Sequence, residues 1–452
     1  MNISIIQRLI QLLADAFFAL SVKSGPMEIE KLAILIHQAM DHNRRIYHTS
    51  AHIFELCEGM QARQVLAALF HDIVYQQLDC SFPWLAQNIV DNIGKIENNT
   101  LQLNASPAKE WDIKLCMAVF GYQPAASISL NHGANEFLSA IFAARQLQKL
   151  LSAQDLLAIT ACIEATIPFR GTDADGLSYP LQLAERVQTA ASLLDIHLDD
   201  VQLSTLVTEA ITLANRDVAN FAHPDPSHFL ATTWQLLEEA NIVLSKPKSY
   251  TIQAYRNSLL GMERFLTTLN PALVFHSYQN TPNPEQLLAM QQAAQHNIQF
   301  ANLYLGVKIT GIAVIEALAL LTGGDCAIAE FLGDPFAKRN QQTHACQFIP
   351  HIAVCQPVDE ALLQVLDSGR SQPCDYDLNE SPFSAYLCRI LGQTQVMALS
   401  QHARQFFIGT LDSQAFLNLL PQQVIHTIAS ACANVMLSRA PALLALTTDF
   451  TQ

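Results

Sequence analysis

The apolar stretch VLAALFHDIVY, residues 65–75, contains a histidine and an aspartate side by side, His71 and Asp72, near its end. Its leucines and Phe70 recur at the three- and four-residue spacing of a buried helix face, and we expect a helix over 62–78. His71 and Asp72 would then lie in or near the core. Because buried polar groups are costly without partners, we expect this pair to have a partner, and a divalent cation is one candidate.

A second histidine motif precedes this stretch by about twenty residues. In RIYHTSAHIFEL, residues 45–56, His48 and His52 are four residues apart. Residues with this spacing share a helix face, so a helix over 46–60 would direct both imidazoles into one pocket. With 15 histidines in the chain, such a pair also arises by chance, and a lone His-Asp pair is commonly structural.

An acidic residue much later in the chain completes the pattern. Asp217 lies in LVTEAITLANRDVANF, among Leu, Ala and Val, on a helix predicted over 200–220. A carboxylate in this setting also needs a partner. The combination of the three motifs, rather than any one of them, favours a metal site.

Apolar residues recur at helical intervals almost everywhere, and strand-like alternation is scarce, which predicts an all-α protein. The predicted helices include 82–97 and a helix over 284–321 that we expect to be broken. At 452 residues the chain exceeds what one core usually organises. The charged, proline-containing joint SKPKSY suggests domains at 1–245 and 246–452, the second a helical domain of unknown role.

Composition limits the classes of function. The formal net charge is −15 and no run of Lys or Arg occurs, which disfavours nucleic acid and anionic lipid as partners. The ten cysteines form no CxxC pair and indicate reduced thiols in a cytoplasmic protein. The apolar stretch ITGIAVIEALALLTGG contains Glu316 and is short for a membrane span, so we interpret it as a core helix.

The order of motifs resembles the HD superfamily of metal-dependent phosphohydrolases. YHTSAH is similar to the YHN-x-x-H segment of the cyclic-nucleotide phosphodiesterase branch and of small bacterial predicted HD phosphohydrolases, with Thr49 where the family often has Asn. The resemblance covers roughly residues 30–245 and implies an HD-domain-like helical bundle. It implies His48 as the general acid, and as metal ligands His52, His71, Asp72 and Asp217.

The resemblance further implies one or two divalent ions, which could be Mn, Fe, Mg, Zn, Co or Ni. Metal-activated water would attack a small phosphoester or nucleotide, and His48 would protonate the leaving oxygen. A carboxylate is expected to orient that imidazolium. Glu164 is the candidate and Glu136 the competitor, although both also suit solvated helix positions. His132 precedes a helix, where an exposed or capping role is expected.

Three alternatives remain open at this point. HD-fold proteins that bind two irons perform oxygenase chemistry, though with more histidine ligands than these motifs supply. A degenerate HD scaffold could act as a sensor or interaction protein, and the C-terminal helices are a candidate homodimer interface. The segment HACQFIPHIAVC, residues 344–355, contains two histidines and two cysteines, but its spacing matches no usual zinc ligand pair.

Overall fold

The computed structural model describes residues 4–41, 44–79, 84–106, 110–246, 248–334 and 344–449. Two compact units divide the chain. The first comprises Met1–Ala222 with Asn270–Ala294, and the second comprises His223–Leu269 with Gln295–Gln452.

This division differs from the predicted boundary at residue 245. The helix Pro226–Ala240 lies in the second unit, where its Trp234 indole donates a 2.9 Å hydrogen bond to Asp377 Oδ2. The Tyr376 hydroxyl donates in turn to the Trp234 carbonyl. The composition change at SKPKSY therefore marks a turn within the second unit.

The first unit is predominantly helical, as the periodicity predicted. Its helices begin at capping residues of the expected kind: Ser4 and Asp199 each accept a backbone N–H from the residue three positions on. The helices are α1 (Ile5–Ala19), α2 (Pro26–Met40), α3 (Ser50–Cys57), α4 (Ala62–Phe70), α5 (Gln76–Asp79), α6 (Trp84–Ile93), α7 (Trp111–Phe120), α8 (Ala134–Leu147), α9 (Ala153–Ala165), α10 (Tyr179–Leu193) and α11 (Asp200–Asp217).

A small antiparallel sheet interrupts this helical unit. Its order is β1 (Gly94–Glu97), β2 (Thr100–Leu103), β3 (Ser127–Ser129). The predicted helix over 82–97 is wrong for its last turn, because Asn98 and Asn99 both adopt positive φ, 48° and 61°, and close a two-residue hairpin. The Asn-Asn pair was the available signal for this turn.

Helix α9 is the centre of the first unit and packs against α4, α7, α8 and α11. All of its residues from Leu156 to Ala165 are buried, as expected of a helix surrounded by other helices. In α4 every side chain from Gln64 to Phe70 is buried as well. This packing fixes the end of α4, where His71 and Asp72 follow.

The second unit is also built from helices, and α14 begins in the first. They are α12 (Pro226–Ala240), α13 (Ile252–Thr268), α14 (Pro284–Thr322), α15 (Ile328–Leu332), α16 (Glu360–Ser368), α17 (Pro382–Leu391), α18 (Gln393–Phe407), α19 (Ser413–Leu417), α20 (Gln422–Ala433) and α21 (Ala440–Asp449). The break predicted within 284–321 is wrong, because α14 is continuous over 39 residues.

Helix α14 is long and apolar enough to cross a membrane by composition alone. However, 83% of its most apolar window is buried within the structure, as in the core helix of a soluble protein. Its Glu316 forms an ion pair there with Arg256, whose Nε lies 3.1 Å from Glu316 Oε2. The interpretation of this stretch as a core helix agrees with that burial.

Candidate metal centre

The His-Asp pair lies just beyond a helix rather than on one. Helix α4 ends at Phe70, His71 is its C-cap, and the chain turns with Ile73 N–H bonding to Phe70 O. The helix predicted over 62–78 is therefore too long. Adjacent side chains on a helix point about 100° apart, so leaving the helix is what lets the two groups converge. His71 Nε2 and Asp72 Oδ2 lie 2.9 Å apart.

The His71 imidazole is oriented by the backbone. Its Nδ1 lies 2.8 Å from Ala68 O and donates to it, which leaves Nε2 facing Asp72. The side chain is 2% exposed. Neither His71 Nε2 nor Asp72 Oδ2 has a hydrogen-bond partner of acceptable geometry in the described residues. Two buried polar atoms are thus directed at one point without a satisfied hydrogen bond.

The second histidine motif reaches the same point by a different local structure than expected. Helix α3 begins at Ser50, so His48 precedes it and the predicted helix over 46–60 is wrong at its start. The Nε2 atom of His52, on α3, lies 3.0 Å from Asp217 Oδ1. The ring centroids of His48 and His52 nevertheless lie only 6.0 Å apart.

Asp217 is the last residue of α11, which packs against α9, α3 and α4. Its Oδ1 is 3.7 Å from His71 Nε2 as well as 3.0 Å from His52 Nε2. The structure therefore brings together all four side chains that the resemblance implied as ligands. Of these, the donor atoms of His52, His71 and Asp72 all lie within 4.8 Å of one another, a group that could hold a metal ion.

Electrostatics in this group favour a bound positive charge. Burial opposes charging of His71, but the carboxylates of Asp72 and then Asp217 outweigh it and raise its pKa to about 10. Burial likewise opposes ionisation of Asp72, and the His71 and His48 imidazoles hold the pKa of that carboxyl below its usual range. Two carboxylates facing imidazoles in a largely buried place stabilise either imidazolium or a metal cation.

An open cleft of about 290 Å³ is lined by the pair and by three further candidate residues, His48, Glu136 and Asp217, but not by His52 or Glu164. Its lining comprises His48, His71, Asp72, Tyr75, Gln77, Leu130, Asn131, Asn135, Glu136, Thr166, Pro168 and Asp217. The ring of Tyr75 meets that of His48 edge to face, with centroids 5.0 Å apart. Burial, followed by the nearby charges of Asp72 and Asp217, raises the pKa of Glu136 to about 7.

Glu164, the carboxylate predicted to orient His48, serves another purpose. It is 0% exposed and accepts hydrogen bonds from Arg170, from Arg186 at 2.6 Å and from the Tyr179 hydroxyl at 2.9 Å. The two guanidinium groups compensate the negative charge of Glu164. This matters because α9 is buried on every side, where a carboxylate without a counter-ion would be costly. Glu136 lines the cleft with His48, so the structure favours the competitor.

Arg45 was not identified from the sequence. It is buried. Its Nη1 donates a hydrogen bond of 2.7 Å to the Asp72 carbonyl and one of 3.1 Å to Met40 Sδ. It therefore holds the turn that presents the Asp72 carboxylate. The sequence carries no clear signal for it, since one arginine before a Tyr-His pair has many ordinary explanations.

The remaining histidine candidates lie elsewhere. His132 is exposed just before α8, as expected. In the segment considered for zinc, His351 and Cys355 are exposed, and His344 Nδ1 accepts the Cys346 N–H at 3.2 Å. Within the part of the chain that the structure describes, no group of three metal-type ligands forms there.

No protein-family model, curated protein or solved structure matches this chain. The HD resemblance therefore stays a prediction from the motifs, and the geometry of the group at His52, His71 and Asp72 stands independently of it.

Proposed function

We propose that the first unit is a metal-dependent phosphohydrolase or phosphodiesterase acting on a small phosphorylated compound. The observation that carries the proposal is that His71 Nε2 and Asp72 Oδ2, both buried and without a hydrogen bond of good geometry, lie close to His52 and Asp217, and that His71, Asp72 and Asp217 line an open cleft. Such an arrangement is costly unless something occupies the point at which these atoms are directed.

The donor set fits a divalent ion. His52, His71 and Asp72 would hold it with Asp217 beside them, since the donor atoms of the first three lie within 4.8 Å of one another and Asp217 Oδ1 lies 3.0 Å from His52 Nε2. Imidazole and carboxylate together suit Mn, Fe, Zn, Co and Ni, and Mg less well. When bound, such an ion lowers the pKa of a water ligand and screens phosphoryl charge.

The chain's own residues supply the remaining chemistry. His48 lines the cleft beside the ligands, and as imidazolium it would donate its proton to the leaving oxygen while the phosphorus–oxygen bond breaks. Glu136, on the same cleft, is the carboxylate available to hold His48 in its charged form. Tyr75 packs against the His48 ring and restricts its orientation.

The test combines metal analysis with turnover. Purified full-length protein is analysed for transition metals and assayed with p-nitrophenyl phosphate, bis-p-nitrophenyl phosphate, and linear and cyclic nucleotides. We expect bound metal, hydrolysis of at least one ester class, and loss of both in His71→Ala. The control is His197→Ala, an exposed histidine of the same unit.

Other outcomes of this test contradict the proposal. Stoichiometric iron without hydrolysis of any ester would favour oxygenase chemistry. Protein that takes up no divalent ion, even after incubation with Mn²⁺, Fe²⁺, Zn²⁺, Co²⁺ and Ni²⁺, would leave a scaffold without this chemistry.

A further inference from the structure

A pocket in the second unit has the composition of a small-molecule site. Its cavity volume is about 70 Å³. Its walls are aromatic and aliphatic, with Tyr250, Tyr255, Ile312, Ile315, Leu332 and Phe383 among the lining residues. We call it the Lys308 pocket, after the charged residue that lines it together with Asp377 and Ser381.

Lys308 is an unusual residue for such a place. It is 6% exposed, and its ammonium lies 2.6 Å from Asp377 Oδ2 and 3.2 Å from Ser381 Oγ. An ammonium carries three N–H donors. Two have oxygen acceptors, and the third has no oxygen acceptor among the described residues. The ammonium also lies 5.6 Å from the Trp234 ring centroid and 5.9 Å from that of Tyr255. A ligand oxygen would satisfy the third donor.

The charges around Asp377 do not balance. The Arg370 side chain is fully buried, and its Nη1 lies 3.7 Å from the same Oδ2 that Lys308 contacts. Two buried cations therefore share one carboxylate. Because uncompensated buried charge is expensive, the excess positive charge favours an anionic ligand.

The other titratable residues at this pocket do not cancel the excess. Burial lowers the pKa of His344 to about 4, so it is neutral at pH 7. At the mouth Lys248 pairs with Asp334 at 2.6 Å, and Glu380 is exposed to solvent.

A helix terminus adds to the positive potential. Helix α17 begins at Pro382, and its N-cap Ser381 makes no side-chain capping bond. The N–H groups of the first turn, including those of Phe383 and Ser384, are among the donors that a helix leaves unpaired. Both residues line the pocket, and such a terminus stabilises negative charge.

We propose that the Lys308 pocket binds a small apolar monocarboxylate, with its carboxylate at Lys308 and Ser381 and its hydrocarbon part against the aromatic and aliphatic walls. The inference is independent of the function proposed for the first unit. It requires no residue of the metal centre.

Asp377 is the competing anchor, and it would select an alkylamine. Its Oδ2 already accepts hydrogen bonds from Trp234 at 2.9 Å, Tyr255 at 2.8 Å and Lys308. Among the described residues only Oδ1 is left to accept a hydrogen bond from a ligand. Lys308 and Arg370 would also repel a cationic ligand at this position. We therefore favour the anion.

Isothermal titration calorimetry of the full chain tests this choice with three probes of equal length: octanoate, octanol and octylamine. We expect octanoate to bind at least tenfold more tightly than either of the others. Lys308→Met should reduce octanoate affinity at least tenfold and bring it level with octanol. It should remain folded, because Asp377 keeps Arg370, Trp234 and Tyr255 as partners.

Lys246→Met is the matched control, since Lys246 is an exposed lysine of the same unit. Ile312→Trp, which fills the pocket without changing its charge, should abolish binding of octanoate. Circular dichroism confirms that each variant is folded. Tighter binding of octylamine, equal binding of all three probes, no binding by any, or unchanged octanoate affinity in Lys308→Met would overturn the proposal.

Discussion

The candidate metal centre of the first unit and the Lys308 pocket of the second have opposite charge balances. At the candidate metal centre two carboxylates, Asp72 and Asp217, face imidazoles that would serve as neutral ligands to a bound metal. In the Lys308 pocket two cations, Lys308 and Arg370, share the single carboxylate of Asp377. Each arrangement leaves buried hydrogen-bonding capacity unused. The sign of the excess charge therefore indicates the kind of ligand, a cation in one case and an anion in the other.

A third buried cluster also places two cations on one carboxylate, but its arginines are about one-fifth exposed, so water hydrates their excess charge, whereas Lys308 and Arg370 are buried. Glu164 receives two guanidinium groups and one hydroxyl, from Arg170, Arg186 and Tyr179, and it does not line the cleft over the metal centre. Burial of charge alone is thus a poor guide to function. Burial with unused donors or acceptors beside a cavity is the better one.

The largest expected effect is that of Asp72→Asn, which removes a charged ligand while preserving shape. Loss of a residue that only supports a metal ligand costs about 10–100-fold in metal affinity or activity. Because Asp72 would be a ligand itself, metal content and hydrolysis should both fall by more than this. Mass spectrometry of the metal and the ester assay measure this. The control is Asp91→Asn, on the exposed face of α6. Retained metal in Asp72→Asn would contradict the charge argument for this centre.

His48→Asn should separate chemistry from metal binding. Loss of a general acid costs about 10²–10⁴-fold in kcat, while the ligand set is intact and the metal content should stay at the wild-type level. An ester with a good leaving group, such as p-nitrophenolate, should be affected least because it needs little protonation. Equal losses for good and poor leaving groups would exclude the acid role.

Glu164→Gln should affect stability rather than the reaction. Removing the charge leaves Arg170 and Arg186 without a buried counter-ion, which costs about 3–5 kcal/mol. Because both arginines are about one-fifth exposed, we expect the lower end of that range. Urea denaturation measures it, with the exposed Glu185→Gln on α10 as control. Full stability with lost turnover would restore the predicted catalytic role of Glu164.

Glu136→Gln should give the smallest effect, a loss of about 10-fold in kcat, as is usual when a supporting carboxylate is removed. Metal content and the free energy of unfolding should change little, since no buried cation depends on Glu136. Combining it with His48→Asn tests whether the two act together. If they do, the double variant should be no slower than His48→Asn alone.

Much of the fold was predictable because helix periodicity is a local property. The helical class and most helices of the first unit follow from apolar spacing, and the departures are local too. Asn98 and Asn99 replace a helical turn with a hairpin, and the chain leaves the helix at His71. The predicted domain boundary at residue 245 rested on one proline-containing joint, whereas packing of Trp234 assigns that region to the second unit.

The sequence by itself determined the helical class and drew attention to His48, His52, His71 and Asp72, because four-residue spacing and a buried polar pair are visible along the chain. The resemblance then implied which of these histidines would be ligands. Only the tertiary structure decided that Asp217 reaches these side chains, and that Glu164 is neutralised by arginines instead. Only the tertiary structure, likewise, gathered the residues of the Lys308 pocket. The physical reason is that short-range spacing fixes local conformation, while the pairing of buried charges depends on which distant helices pack together.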